Sequence, residues 1–146
     1  MMTMRPPALP PAQHCGPPAV PPQAIYSAEP VSVRPARRYV REAAVYQEPG
    51  ITADALDTLE LLASELVTNA IVHGAAPGES VRVVVTAEPG RCRIEVHDPR
   101  RRLPRVRPAS DARTRGRGLL LVGVLAARWG VADRPVGKAV WAVVTW

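Results

Sequence analysis

The residues of this sequence best suited to chemistry are a carboxylate and a carboxamide set four apart. Glu65 and Asn69 lie in the run Glu65-Leu66-Val67-Thr68-Asn69-Ala70-Ile71-Val72-His73-Gly74. On a helix that interval places both side chains on one side, a turn apart. Such a carboxylate can serve as a base, and such a carboxamide can offer its carbonyl oxygen to a hard cation such as Mg2+. Farther on, Asp98 ends an alternating segment, where its carboxylate can accept from an amino group such as the exocyclic amine of adenine. The glycines of Arg115-Gly116-Arg117-Gly118-Leu119 then precede an apolar segment that reads as a helix. A helix start presents free N–H groups, and glycine lets a phosphate come close to them. Arg113, Arg115 and Arg117 add cationic donors. In this order the pieces outline a nucleotide site.

Each piece alone has a plainer reading. Glu65 and Asn69 suit a helix boundary with local hydrogen bonds, and Asp98 before Pro99 suits a turn. The two glycines suit a loop that lets a helix dock closely. Only the combination points to a ligand.

The elements that must position these residues follow from periodicity. A short edge strand is expected near Ile25-Tyr26-Ser27-Ala28. A first helix spans about Val33 to Tyr46, with Pro35 tolerated in its first turn and Ala36, Tyr39, Val40 and Ala43 facing inward. A second helix runs from about Ala53 to His73, capped by Thr52, with Asp54 in its first turn and Gly74 as the residue past its end. Ser80 to Thr86 and Arg91 to His97 read as strands joined by a turn at Pro89-Gly90. Residues 99 to 117 hold three prolines and eight arginines without periodicity, a long loop of the kind that often forms a lid. A third helix, about Gly118 to Arg128, is apolar nearly all round and is expected to be buried. Trp129 to Asp133 and Lys138 to Trp146 close the chain as a hairpin. The fold class is therefore α+β: a two-layer sandwich of helices on one mixed, mostly antiparallel sheet.

Composition sets the limits. The 146 residues suit one domain, and 47% hydrophobic residues suffice for a core. Aromatics are 4% and Phe is absent, so Leu, Val and Ala must fill it. Residues 1 to 25 carry eight of the 17 prolines and almost no charge, which predicts a disordered leader before a domain over 26–146. No apolar run reaches the roughly 20 residues of a membrane span, and no signal peptide is evident, so the cytoplasm is the expected compartment. Cys15 and Cys92 form no metal or disulfide pattern, and Cys92 reads as a small core residue. Net charge is +6, with ten of the 19 basic residues between Arg91 and Arg117. That stretch suits a nucleotide, a nucleic acid or an acidic protein, and equally a solvated loop.

Taken together, the motifs resemble the small histidine-kinase-like ATPase domain of the GHKL superfamily (Bergerat fold). The branch most similar is that of the anti-sigma-factor serine/threonine kinases. Ser64-Glu65-Leu66-Val67-Thr68-Asn69-Ala70 matches its N box, Val96-His97-Asp98 its first glycine box, and Gly116-Arg117-Gly118-Leu119-Leu120-Leu121-Val122 its second. Trp129-Gly130 and Gly137-Lys138-Ala139-Val140-Trp141 match the closing hairpin. The resemblance covers roughly Tyr26 to Trp146. It implies ATP and Mg2+ as cofactors, with Asn69 holding the metal and Glu65 orienting or deprotonating an acceptor hydroxyl. It implies that Asp98 binds the adenine amine. Gly116 and Gly118 would contact phosphates beneath the lid, with Arg115, Arg117 and Leu119 also in the nucleotide-binding set. Two departures stand out. Arg100 occupies a place where the family often has Gly or Ser, and Ala139 one where it often has Thr, so a polar contact near adenine is expected to be missing. His73 reads as a helix-end residue, and no phosphotransfer from histidine is expected.

The function so implied is an ATP-binding regulator that phosphorylates a Ser or Thr of an anti-sigma antagonist protein, or binds a sigma factor, with a homodimer left open. The competing reading is a non-catalytic module that sequesters a partner. A nucleic-acid binder is disfavoured, because no RNA-binding aromatic signature or helix-turn-helix stands out.

Overall fold

The protein is described by a computed structural model covering residues 20–99 and 117–146. Strand β1 (Gln23–Ser27) leads through a 3-10 turn, Pro30–Ser32, into helix α1 (Val33–Gln47). α1 buries Ala36, Tyr39, Val40, Ala43 and Ala44. That spacing keeps one continuous face of a helix against a core. Helix α2 (Ala53–Asn69) starts as expected: the Thr52 hydroxyl accepts the Ala55 N–H at 3.2 Å. Leu56, Leu59, Leu62, Ala63, Leu66 and Val67 form its buried face. Regular α-helix stops at Asn69, and Ala70–Gly74 continue as a π turn rather than to a left-handed glycine cap.

Strands β2 (Ser80–Glu88) and β3 (Arg91–Asp98) form the expected hairpin around Pro89 and Gly90, the glycine at φ 81°. Helix α3 (Arg117–Leu125), β4 (Arg128–Asp133) and β5 (Lys138–Thr145) complete the chain. The sheet order is β1-β2-β3-β5-β4. Every pair is antiparallel, where a mixed sheet was expected. The reason is topological. β4 runs parallel to β3, but the closing hairpin inserts β5 between them.

One sheet face takes all three helices. Val81, Val83 and Val85 of β2, Cys92, Ile94 and Val96 of β3, and Val140, Ala142 and Val144 of β5 alternate inward and join the helical core. Cys92 is fully buried, and burial pushes its thiol up to about 12, so it serves as a small apolar filler. β1 covers β2 only as far as Val84. Beyond it, Gln47 at the end of α1 takes over: its amide donates to the Val85 carbonyl at 2.9 Å and accepts the Ala87 N–H at 2.7 Å. That side chain satisfies an edge that would otherwise seek another strand.

Helix α3 departs from expectation. Leu119 and Val122 are buried, but Leu120, Leu121 and Val124 are exposed. Its apolar composition suggested burial all round, yet the helix touches α2 and β4 along one side only.

The domain start also differs. Residues 1–19 of the expected leader lie outside the described residues, as do 100–116 of the expected lid. Residues 21–25 belong to the fold. The Tyr39 hydroxyl donates to the Pro21 carbonyl at 2.7 Å, and the Val85 N–H donates to the Pro22 carbonyl at 2.9 Å. Gln23, Ala24 and Ile25 pair with β2. A chain starting at Tyr26 should therefore be less stable than one starting at Val20, by about 1–3 kcal/mol for the two lost acceptors. Equal urea midpoints for the two would refute this boundary.

Candidate functional site

The π turn that follows α2 comes against the end of β3. Asp98 is the last residue of β3 and shares its inward face with Val96 and Ile94, so its carboxylate lies beneath the helices, 4% exposed. Gly74 closes the π turn above it. A Cβ at Gly74 would fall on the Asp98 carboxyl group, and a Cβ at Gly137 would fall on the Asp98 carbonyl oxygen. Gly137 also holds φ 77°, a conformation unfavourable to residues with a side chain. Gly74 has no such backbone demand. It is required by contact alone, which corrects its expected role as a cap.

Glu65 and Asn69 are half-buried one turn apart on the last turns of α2. Neither side chain makes a hydrogen bond or ion pair among the described residues, so the local bonds of an ordinary boundary pair are not formed there. The π turn carries the chain from Asn69 to Gly74 and so ties the Glu65–Asn69 end of α2 to Asp98. Arg115 and Gly116 lie outside the described residues. Arg117 and Gly118 open α3. Leu119 is buried, so only its backbone is available to a ligand. His73 sits exposed in the π turn, near the helix end where the sequence put it.

One residue at this site was missed. Lys138, the first residue of β5, is paired in register with Asp98 and shares its face. Its Nζ lies 3.1 Å from Asp98 Oδ1, and the two side chains are 2% and 1% exposed. The sequence held the signal: Lys138 is the sole lysine, and its parity is that of Val140, Ala142 and Val144, all core positions. The same parity corrects the expectation for Ala139. Ala139 lies opposite His97 on the face away from the helices, so no polar contact beside Asp98 is lost through it. Lys138 is the β5 residue that borders the carboxylate. Arg100 lies outside the described residues.

Among the described residues no group of three or more His, Cys, Asp or Glu side chains could by itself hold a metal ion. The donor set does fit a metal bound chiefly by phosphates, with one protein oxygen from Asn69. The buried Asp98 carboxylate is an acceptor for an amino group, and in this structure it accepts from the Lys138 ammonium.

Residues 26–144 match the model of the histidine kinase-like ATPase domain. The chain belongs to that family. Among solved structures, this ATPase domain is similar to the crystal structure of the RsbU and RsbW domains of Rv1364c from Mycobacterium tuberculosis. The TM-score is 0.56 at 19% identity, over 86% of this chain and 32% of that one. At that identity the likeness shows the fold, and this chain spans about a third of the other's length. Comparison with curated proteins finds no match. No helix among the described residues is long and apolar enough to cross a membrane.

Removing one partner of a buried pair strands the other charge away from water. Lys138→Met should therefore cost about 3–5 kcal/mol in urea unfolding. Lys138→Met combined with Asp98→Leu should recover much of that loss. A single variant as stable as wild type would show that the pair is dispensable.

Proposed function

We propose that this domain binds Mg-ATP and acts as a serine/threonine kinase of the anti-sigma-factor type, its substrate an antagonist protein that carries a Ser or Thr acceptor. The observation that carries the reading is the Glu65–Asn69 pair, one turn apart, on the helix whose end rests on the buried Asp98. Membership of the ATPase family supports the nucleotide. The RsbW domain named in the similar structure is the reason to favour this branch over others.

The roles follow from chemistry. Asp98 accepts the adenine amine. Asn69 gives its carbonyl oxygen to Mg2+, which when bound offsets charge on the phosphate oxygens. The backbone at Gly118 and the Leu119 N–H receive phosphates at the start of α3, and the resemblance assigns Arg115, Gly116 and Arg117 to the same phosphates. An alcohol is a weak nucleophile at neutral pH. Glu65 takes the hydroxyl proton as the oxygen bonds to the γ-phosphorus and the bond to the ADP oxygen breaks. The partner class is a protein antagonist, a sigma factor or both, with a homodimer compatible, and the proposed compartment is the cytoplasm.

One observation favours a second reading. The Lys138 ammonium sits on Asp98, so a base must share that carboxylate. A domain with a weakened base contact could act by holding a partner without transferring phosphate.

Two variants separate these readings. Asn69→Ala should weaken Mg-ATP binding in calorimetry much more than adenosine binding; equal Mg-ATP affinities would remove Asn69 as the metal ligand. Glu65→Ala should abolish radiolabel transfer from ATP to an antagonist protein while keeping ATP affinity within a few-fold. If wild type binds such a partner, transfers no phosphate, and Glu65→Ala regulates it equally well, the sequestering module replaces the kinase.

A further inference from the structure

The sheet face away from the helices carries a cation cluster that the nucleotide reading leaves unused. Arg82 of β2 lies opposite His97 of β3 in register, and its guanidinium is 3.1 Å from His97 Nδ1. Arg134, in the loop after β4, reaches back across the small Ala139 to within 3.1 Å of His97 Nε2. Two guanidiniums thus bracket one imidazole, which is only 7% exposed.

The donor count does not balance. Arginine only donates, and a neutral imidazole accepts at one nitrogen. If Nδ1 accepts from Arg82, Nε2 carries its proton toward Glu95 Oε1, 3.4 Å away, and Arg134 then faces an N–H. Glu95 is already shared, with Arg134 at 3.5 Å and Arg93 at 3.6 Å. Arg134 Nε is buried without an acceptor. Burial, then the charges of Arg134 and Arg82, hold the His97 pKa below its ordinary value, while Glu95 pulls the other way. One carboxylate therefore serves two guanidiniums and the imidazole, and the third guanidinium, Arg82, meets only the imidazole.

Beside this cluster opens a pocket of about 460 Å³, lined by Arg82, His97, Arg134, Ser80, Ile25 and Val136 among others. Ile25 and Val136 are 69% and 77% exposed and form an apolar rim. The Asp98 carboxylate, whose residue also borders the pocket, is turned to the other face, against Lys138.

We propose that this pocket binds a phosphate monoester with an apolar body, its phosphate held between Arg82 and Arg134 beside His97. Guanidiniums converging from strand β2 and from the loop after β4, with an imidazole between, suit the tetrahedral oxygens of a phosphate better than a planar carboxylate. The exposed Ile25 and Val136 give the organic part its contact. The site is separate from the proposed ATP site, because β-strand alternation puts His97 and Asp98 on opposite faces.

Phenyl phosphate is the probe, with inorganic phosphate and benzoate as comparisons. Calorimetry on the full chain should show phenyl phosphate binding more tightly than either, and imidazole NMR should show the His97 titration midpoint rising on saturation. Arg82→Gln and Arg134→Gln should each weaken phenyl phosphate roughly tenfold or more, since each removes a charge-assisted contact. Arg82 is solvent-exposed, so its substitution tests binding without disturbing the core. Asn69→Ala, which removes the proposed metal ligand of the ATP site, should leave phenyl phosphate affinity unchanged. Preference for benzoate, an unmoved His97 signal, unchanged affinity in Arg82→Gln, or loss of binding in Asn69→Ala would each overturn the proposal.

Discussion

The contact on which the candidate site depends is the ion pair between Asp98 and Lys138. Two charges lie almost fully out of water at the paired ends of β3 and β5. Burying them carries a large desolvation cost, which close geometry must offset. Two glycines make that geometry possible: Gly74 lets the end of α2 close over the carboxylate, and Gly137 lets the closing hairpin turn against the Asp98 backbone. Gly74 and Lys138, far apart in sequence, are thus both committed to one carboxylate, while Gly137 is committed to the backbone of the same residue. That commitment locks the ends of β3 and β5 to the π turn, where the Glu65–Asn69 helix terminates.

The same pair frames the functional question. A carboxylate kept under a glycine and away from solvent is a specific acceptor for an amino group. An ammonium held against it makes that acceptor already partly used. The ATPase family membership favours nucleotide recognition, and Lys138 means that a base must fit beside an existing pair. Whether catalysis follows depends on Glu65, which stands apart from the pair and makes no side-chain bond of its own among the described residues.

The two faces of the sheet have different chemistry because strand side chains alternate. Asp98 and Lys138 point to the helices, while His97 and Ala139, their immediate neighbours, point away. Small Ala139 gives Arg134 a path to His97. A residue expected to matter for adenine lies instead opposite His97, on the sheet face away from the helices.

Much of this protein was legible in the sequence by itself. The helix period of Ala36, Tyr39, Val40 and Ala43 placed α1, Thr52 set the start of α2, and alternation from Arg91 to His97 gave β3. The motifs from Ser64 to Ala70 and at Asp98 pointed to the family, because local spacing alone brings such side chains to one helix side or one strand end. What tertiary structure decided was anything that depends on neighbours distant in sequence. The insertion of β5 between β3 and β4 made the sheet wholly antiparallel, and docking along one side left half of α3 exposed. Proline content read 21–25 as leader, although their carbonyls complete hydrogen bonds from Tyr39 and Val85. Lys138 was legible only as the first residue of the closing hairpin's second strand. Only the register of β5 on β3 turned it inward onto Asp98, since a shift of one residue exchanges the two faces of a strand.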